Sequence, residues 1–167
     1  KSSLDGFMYD KELFELTLDR LIKSSKRPSF TAVVTNQMHV PGFFDEASCG
    51  KNLPYLPLEK TNLPKSTRNM IRAAQCTDFY LKEFYSQLSD HFGDQLIFSL
   101  TGDHATNIVI ESGLINDLSK MPLLILVPGA KPKKVERLGG TYDFSPNLLA
   151  ALGVFNVKTN DELGLGM

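Results

Sequence analysis

The chain has 167 residues, with 18 Lys and Arg against 19 Asp and Glu for a net charge of −1, and 42% of it is hydrophobic. These values exclude a disordered chain, a collagen-like repeat and a nucleic-acid binder that works by bulk positive charge. One domain with a real core is the expected size. Two cysteines are too few for a disulfide scaffold and enough for one bridge. The longest strongly apolar stretch, Met121–Pro128, falls far short of the roughly 20 residues of a spanning helix, so the chain is expected to be soluble. Its first residue is Lys1 rather than an initiator Met, and the expectation is a piece of a longer protein.

In chain order, Asp10–Ile22 places Leu13, Phe14, Leu18, Leu21 and Ile22 at helical spacing, with Asp10 as the expected N-cap. Lys23–Pro28 ends that helix with positive charge and then a breaker. Ser29–Thr35 is a short β-branched run and reads as a buried strand. Asn36–Pro64 is a long irregular stretch rich in Pro and Gly, and a loop of that length in a compact domain is usually functional. Lys65–Asp90 reads as a long helix, with Met70, Ala74, Thr77, Leu81, Phe84 and Leu88 on one stripe. Gln95–Thr101 and Pro122–Val127 read as two further strands. Asp143–Leu152 reads as a helix with Asp143 as N-cap, Pro146 in its first turn and a stop at Gly153. No internal repeat or low-complexity segment is visible.

This alternation predicts an α/β fold with a largely parallel sheet flanked by helices. Ligands then collect beyond the carboxyl ends of the strands. Two of the three histidines follow strand ends: His39 after the first strand and His104 after the second. His91 falls at a helix end and reads as a C-terminal helix charge. Asp103 and His104 offer an oxygen and a nitrogen suited to a divalent metal such as Mn²⁺ or Zn²⁺. Adjacent strand residues point apart, so binding one ion needs a backbone turn, which Gly102 is expected to permit. The spacing fits a plainer alternative equally well, with Asp103 capping a turn and His104 a partly exposed loop residue.

Taken together, Pro28–Thr35 with His39, Arg72–Asp78, Asp94–His104, Pro122–Gly129 and Tyr142–Leu149 resemble the carboxy-terminal half of the alkaline phosphatase/sulfatase superfamily. Within it the chain looks most like the membrane-anchored phosphoglycerol transferases. These include lipoteichoic acid synthases and the periplasmic enzymes that put phosphoglycerol on membrane-derived glucans. His39-Val-Pro-Gly-Phe-Phe44, Cys49, Cys76 and Leu163–Met167 favour the second group. The resemblance implies an alkaline phosphatase-like fold, with residues 1–167 a carboxy-terminal portion of the catalytic domain.

The resemblance also assigns roles. Asp103 and His104 match the family's metal-binding pair, implying Mn²⁺ first, with Mg²⁺ or Zn²⁺ as alternatives. His39 matches a family histidine that contacts the phosphoryl group or its leaving oxygen. The family usually carries Ser before the Asp-His pair and often Gly after it, where this chain has Gly102 and Ala105. Asp78, Asp143 and Pro146 match architectural positions. The family nucleophile, a Thr in this branch, and an acidic metal ligand have no counterpart in the chain. Thr35, Thr101 and Thr106 are better explained by strand propensity or turn chemistry. The chain alone is therefore expected to be catalytically silent.

In the whole enzyme the implied substrates are a phosphatidylglycerol-type lipid and a glycan or polymer hydroxyl, on the extracytoplasmic face of the membrane. The implied partners are the upstream half of the same catalytic domain and, through an upstream anchor, the membrane, with no nucleic acid. An oxidising compartment such as the periplasm would favour a Cys49–Cys76 bridge over two free buried thiols. It would close a loop of about 27 residues, worth roughly 3 kcal/mol. Lys131, Lys133, Lys134 and Arg137 form a basic patch, either a solvated loop or an approach to anionic lipid. Phe43, Phe44 and Tyr55 could line a lipid or sugar wall or form the loop's own small core. The competing functions are a sulfatase or phosphodiesterase on the same fold and a non-catalytic binding module that keeps it.

Overall fold

The computed structural model describes residues 8–24, 26–39, 44, 46–50, 56–103, 121–134, 136 and 139–154. The chain divides into two compact units, one holding Lys1–His91 with Thr106–Leu118, the other Phe92–Ala105 with Ser119–Met167.

The first unit is built on two helices. Helix α1 spans Asp10–Ser24 and ends two residues beyond the expected range, before the Lys26–Pro28 breaker. A four-residue helix α2 spans Glu46–Cys49, and a 3₁₀ turn follows at Leu58–Lys60. Helix α3 runs from Lys65 to Phe92. Its buried stripe is Thr67, Met70, Ala73, Cys76, Thr77, Phe84 and Leu88, so Ala73 replaces the expected Ala74, and Leu81 is only half-buried. Phe14 of α1 stacks on Phe84 of α3 with ring centroids 5.0 Å apart and planes 13° from parallel. A buried aromatic pair adds about 0.5–1.5 kcal/mol to the area it removes from water. His91 lies in the last turn of α3, as expected.

Ser29–Thr35 departs from the expected buried strand. Its described backbone is in no strand, and Phe30 and Val34 are 77% and 79% exposed. β-branched residues favour extension, but a ladder and burial require a neighbouring strand and a covering layer.

In the second unit β1, Phe98–Thr101, pairs antiparallel with β2, Leu123–Leu126, in the register Phe98↔Leu126 to Thr101↔Leu123. The described sheet is therefore not the parallel sheet that the alternation predicts. A parallel pair needs a crossover between two sequential strands, and the segment expected to open that crossover, Ser29–Thr35, joins no ladder. The expected start of β1 is shortened because Gly93–Gln95 forms a 3₁₀ turn.

Helix α4, Thr141–Ala151, begins two residues before Asp143. Asp143 is therefore not the N-cap. It sits at the third helical position, and its carboxylate accepts the Gly140 N–H at 2.6 Å, satisfying a donor that the helix start leaves open. Pro146 falls inside the helix, past the first turn. The end is as expected: Gly153, at φ 71°, donates to the Ala150 carbonyl, and Val154 donates to the Leu149 carbonyl, both at 3.0 Å. This is the paired closure of a Schellman motif.

Cys49 and Cys76 form a disulfide, with Cα atoms 5.6 Å apart and a sequence separation of 27. Replacing both with Ser is expected to lower the unfolding free energy by about 3 kcal/mol, read from urea unfolding. An unchanged midpoint would show that the bridge does not constrain the unfolded chain.

Candidate functional site

The first unit gathers its polar chemistry at one point, the Asp10 carboxylate, which is fully buried. The Leu13 N–H donates to the Tyr9 carbonyl at 3.0 Å, so Tyr9 closes the helix start and Asp10 is the first helical residue. The expected N-cap role is thus displaced. Asp10 Oδ1 accepts the backbone N–H groups of Asn36 and Gln37 at 3.1 and 3.3 Å, and Oδ2 accepts the Thr77 hydroxyl at 2.6 Å. The Asp10 N–H donates to Gln37 Oε1 at 3.3 Å, so a side chain from another segment satisfies an open donor at the start of α1.

Gln37 extends the network. It is 2% exposed, and its Nε2 donates to Cys49 Sγ at 2.9 Å. Cys49 is bonded to Cys76, the residue before Thr77. One helical turn on, the Tyr80 hydroxyl donates to the Cys49 carbonyl at 3.2 Å. Gly50 closes α2 at φ 87°, a conformation that side chains other than glycine's rarely adopt. Consecutive positions of α3 therefore hold two segments, Cys76 the loop at Cys49 and Thr77 the start of α1.

The Asn36–His39 turn carries His39. The His39 N–H donates to the Asn36 carbonyl at 3.0 Å, closing a four-residue turn. Gln37 points inward, whereas Met38 and His39 are exposed.

In the second unit Asp103 follows β1 and is exposed. The backbone bends at Asp103, directly after Gly102, whose φ is not in the left-handed region. A Cβ on Gly102 would meet the terminal methyl of Met121, the far end of a flexible side chain. His104 lies outside the described residues. The structure thus brings Cys49 and Cys76 together, and it places His39 in one unit and Asp103 in the other. Among the described residues no three His, Cys, Asp or Glu side chains gather as a metal site.

Of the other expected features, Phe44 is half-buried, with the Arg72 guanidinium carbon 5.5 Å from its ring centroid. Arg72 also pairs with Glu59. Phe43 and Tyr55 lie outside the described residues, as does Arg137. Lys131, Lys133 and Lys134 are exposed, and Lys134 pairs with Glu136 at 2.9 Å. Asp78 is exposed on α3. No described helix is long and apolar enough to cross a membrane.

The sequence model of the sulfatase family matches residues 2–154. The chain belongs to the sulfatase family. It is similar to lipoteichoic acid synthase 2 of Bacillus subtilis (strain 168), with 27% identity over 180 residues, covering 95% of this chain and 25% of that relative. The chain thus spans about a quarter of the length of this curated relative. No solved structure matches it. Membership places the chain in the alkaline phosphatase/sulfatase superfamily, on the lipoteichoic acid synthase-like side, and implies an α/β fold.

Sequence reasoning missed Asp10, Gln37 and Thr77 as one network. A polar residue within the apolar stripe of α3 was the available signal for Thr77, because a buried hydroxyl needs a partner. Replacing Thr77 with Val removes the donor at 2.6 Å from a buried carboxylate. That is expected to lower stability by about 2 kcal/mol, with Thr77→Ser within about 1 kcal/mol of wild type. Equal urea midpoints for Thr77→Val and wild type would contradict this reading.

Proposed function

We propose that the chain is a carboxy-terminal portion, residues 1–167, of the catalytic domain of a metal-dependent phosphoglycerol transferase. Such an enzyme moves phosphoglycerol from phosphatidylglycerol to a glycan or polymer hydroxyl. The observation that carries this reading is the similarity to lipoteichoic acid synthase 2 along 95% of the chain. The disulfide adds support for an extracytoplasmic site of action, because such bridges persist in oxidising compartments.

A divalent ion is compatible with the donors present. Asp103 is an exposed carboxylate at a strand end, His104 follows it directly, and an oxygen with an imidazole nitrogen suits Mn²⁺, Mg²⁺ or Zn²⁺. Asp103 and His104 would hold that ion, whose chemistry is to stabilise charge on phosphoryl oxygens. His39 has the exposure and the proton chemistry to meet a phosphoryl group or its leaving oxygen.

In the proposed reaction a deprotonated hydroxyl oxygen from outside these residues attacks phosphorus, and the bond from phosphorus to the diacylglycerol oxygen breaks; the attacking oxygen is freed again, still deprotonated, at the end of the cycle. His39 gives its proton to the departing alkoxide, releasing diacylglycerol. The neutral imidazole then takes the proton of an acceptor hydroxyl as that oxygen attacks phosphorus and frees the enzyme's own oxygen. The sulfatase-family match favours, as a second reading, hydrolysis of a sulfate or phosphate ester by the same residues.

The test uses the full-length protein with Mn²⁺ and phosphatidylglycerol vesicles, reading diacylglycerol release. Release is expected to stop with chelator, and to fall by at least about 100-fold in His39→Ala and in Asp103→Asn. Vesicles left intact while an aryl sulfate or phosphodiester is hydrolysed would favour the second reading. Undiminished release by both variants would overturn the assigned roles.

A further inference from the structure

We infer that Asp10, with Thr77 behind it, is a positioning residue for His39: its buried carboxylate fixes the turn that presents the imidazole. This rests on the role proposed above for His39, and it concerns residues that role does not use.

The geometry supports it in three ways. First, both backbone N–H groups at the entry of the turn, Asn36 and Gln37, converge on the single oxygen Oδ1. The same turn closes through the bond from the His39 N–H to the Asn36 carbonyl. The carboxylate therefore grips the residue whose carbonyl holds His39. Second, Ser29–Thr35 leads into the turn and is in no strand among the described residues. Asp10 holds the turn together with the Gln37 side chain, which is bonded to both the Asp10 N–H and Cys49 Sγ. Third, the Asp10 carboxyl group is fully buried. Burying a polar group is costly unless it is hydrogen-bonded. Here three donors reach it, two on Oδ1 and one on Oδ2. The backbone of the turn and helix α3 are thereby tied to one planar group. The Thr77 hydroxyl fixes the orientation of that plane from α3.

The experiment compares wild type, Asp10→Ala, Asp10→Asn and Thr77→Val in the full-length protein. It reads hydrogen–deuterium exchange by mass spectrometry, together with diacylglycerol release from phosphatidylglycerol vesicles. In Asp10→Ala the peptide containing Asn36–His39 is expected to exchange about tenfold faster than the loss of global stability, read from urea unfolding, accounts for, with peptides of the α3 interior accelerating only by that global loss. The same variant is expected to lose about 100-fold in kcat with KM within about threefold. Asp10→Asn keeps an acceptor for the two N–H groups and is expected to recover at least about tenfold of the lost kcat. Thr77→Val leaves both N–H bonds in place, and is expected to shift exchange in the same direction by less. It also serves if Asp10→Ala does not fold.

Unchanged exchange at Asn36–His39 in Asp10→Ala and Thr77→Val would overturn the inference. So would equal acceleration through α1, α3 and the turn, the signature of a purely structural role. His39→Ala separates the two proposals. If it leaves diacylglycerol release intact, the role of His39 fails, and the local exchange pattern still decides whether Asp10 holds the turn.

Discussion

A buried carboxyl group held by hydrogen bonds from two other segments constrains everything around it. Asp10 occupies the first position of α1, yet its bonds go to the entry of the His39 turn and to the middle of α3. Removing any one donor would leave a buried polar oxygen less satisfied, so the segments that supply donors are held in place together. Three stretches far apart in sequence thereby share one centre. Hydrophobic contact between α1 and α3, centred on Phe14 and Phe84, supplies attraction without specifying position. The carboxylate supplies the position.

The disulfide works on the same helix one residue earlier. Cys76 holds Cys49, Tyr80 holds the Cys49 carbonyl, and Gln37 bridges from Cys49 Sγ back to Asp10. The result is a closed circuit in which the irregular stretch after Asn36 is attached to a 28-residue helix at more than one point. A long loop held this way loses much of the freedom that would otherwise have to be given up when a ligand binds. This is a physical reason for the role proposed for His39 to be carried on a loop rather than on a helix.

Much of this was legible from the residues. Helices α1 and α3 follow from their apolar periodicity, and the end of α4 from Gly153. The superfamily was legible in motifs spread along the chain, and the match over residues 2–154 agrees with it. What sequence could not supply was partnership. Ser29–Thr35 has strand-forming residues, but pairing and burial depend on neighbours that propensity does not contain. The antiparallel pairing of β1 with β2 likewise reflects which strands meet. Asp10 and Asp143 were both legible as helix-start residues, and the structure shifts both by one principle. A short carboxylate goes to whichever open N–H groups lie nearest, and those belong to the His39 turn in one case and to Gly140 in the other.

Asp10 and Thr77 act as one unit across two helices. A double-mutant cycle with Asp10→Ala and Thr77→Val, read by urea unfolding, tests it most directly. The account predicts that the two losses do not add, with a coupling of about 1–3 kcal/mol, because either substitution alone removes the shared bond. Losses that sum to within about 0.5 kcal/mol would show two independent residues and contradict the account.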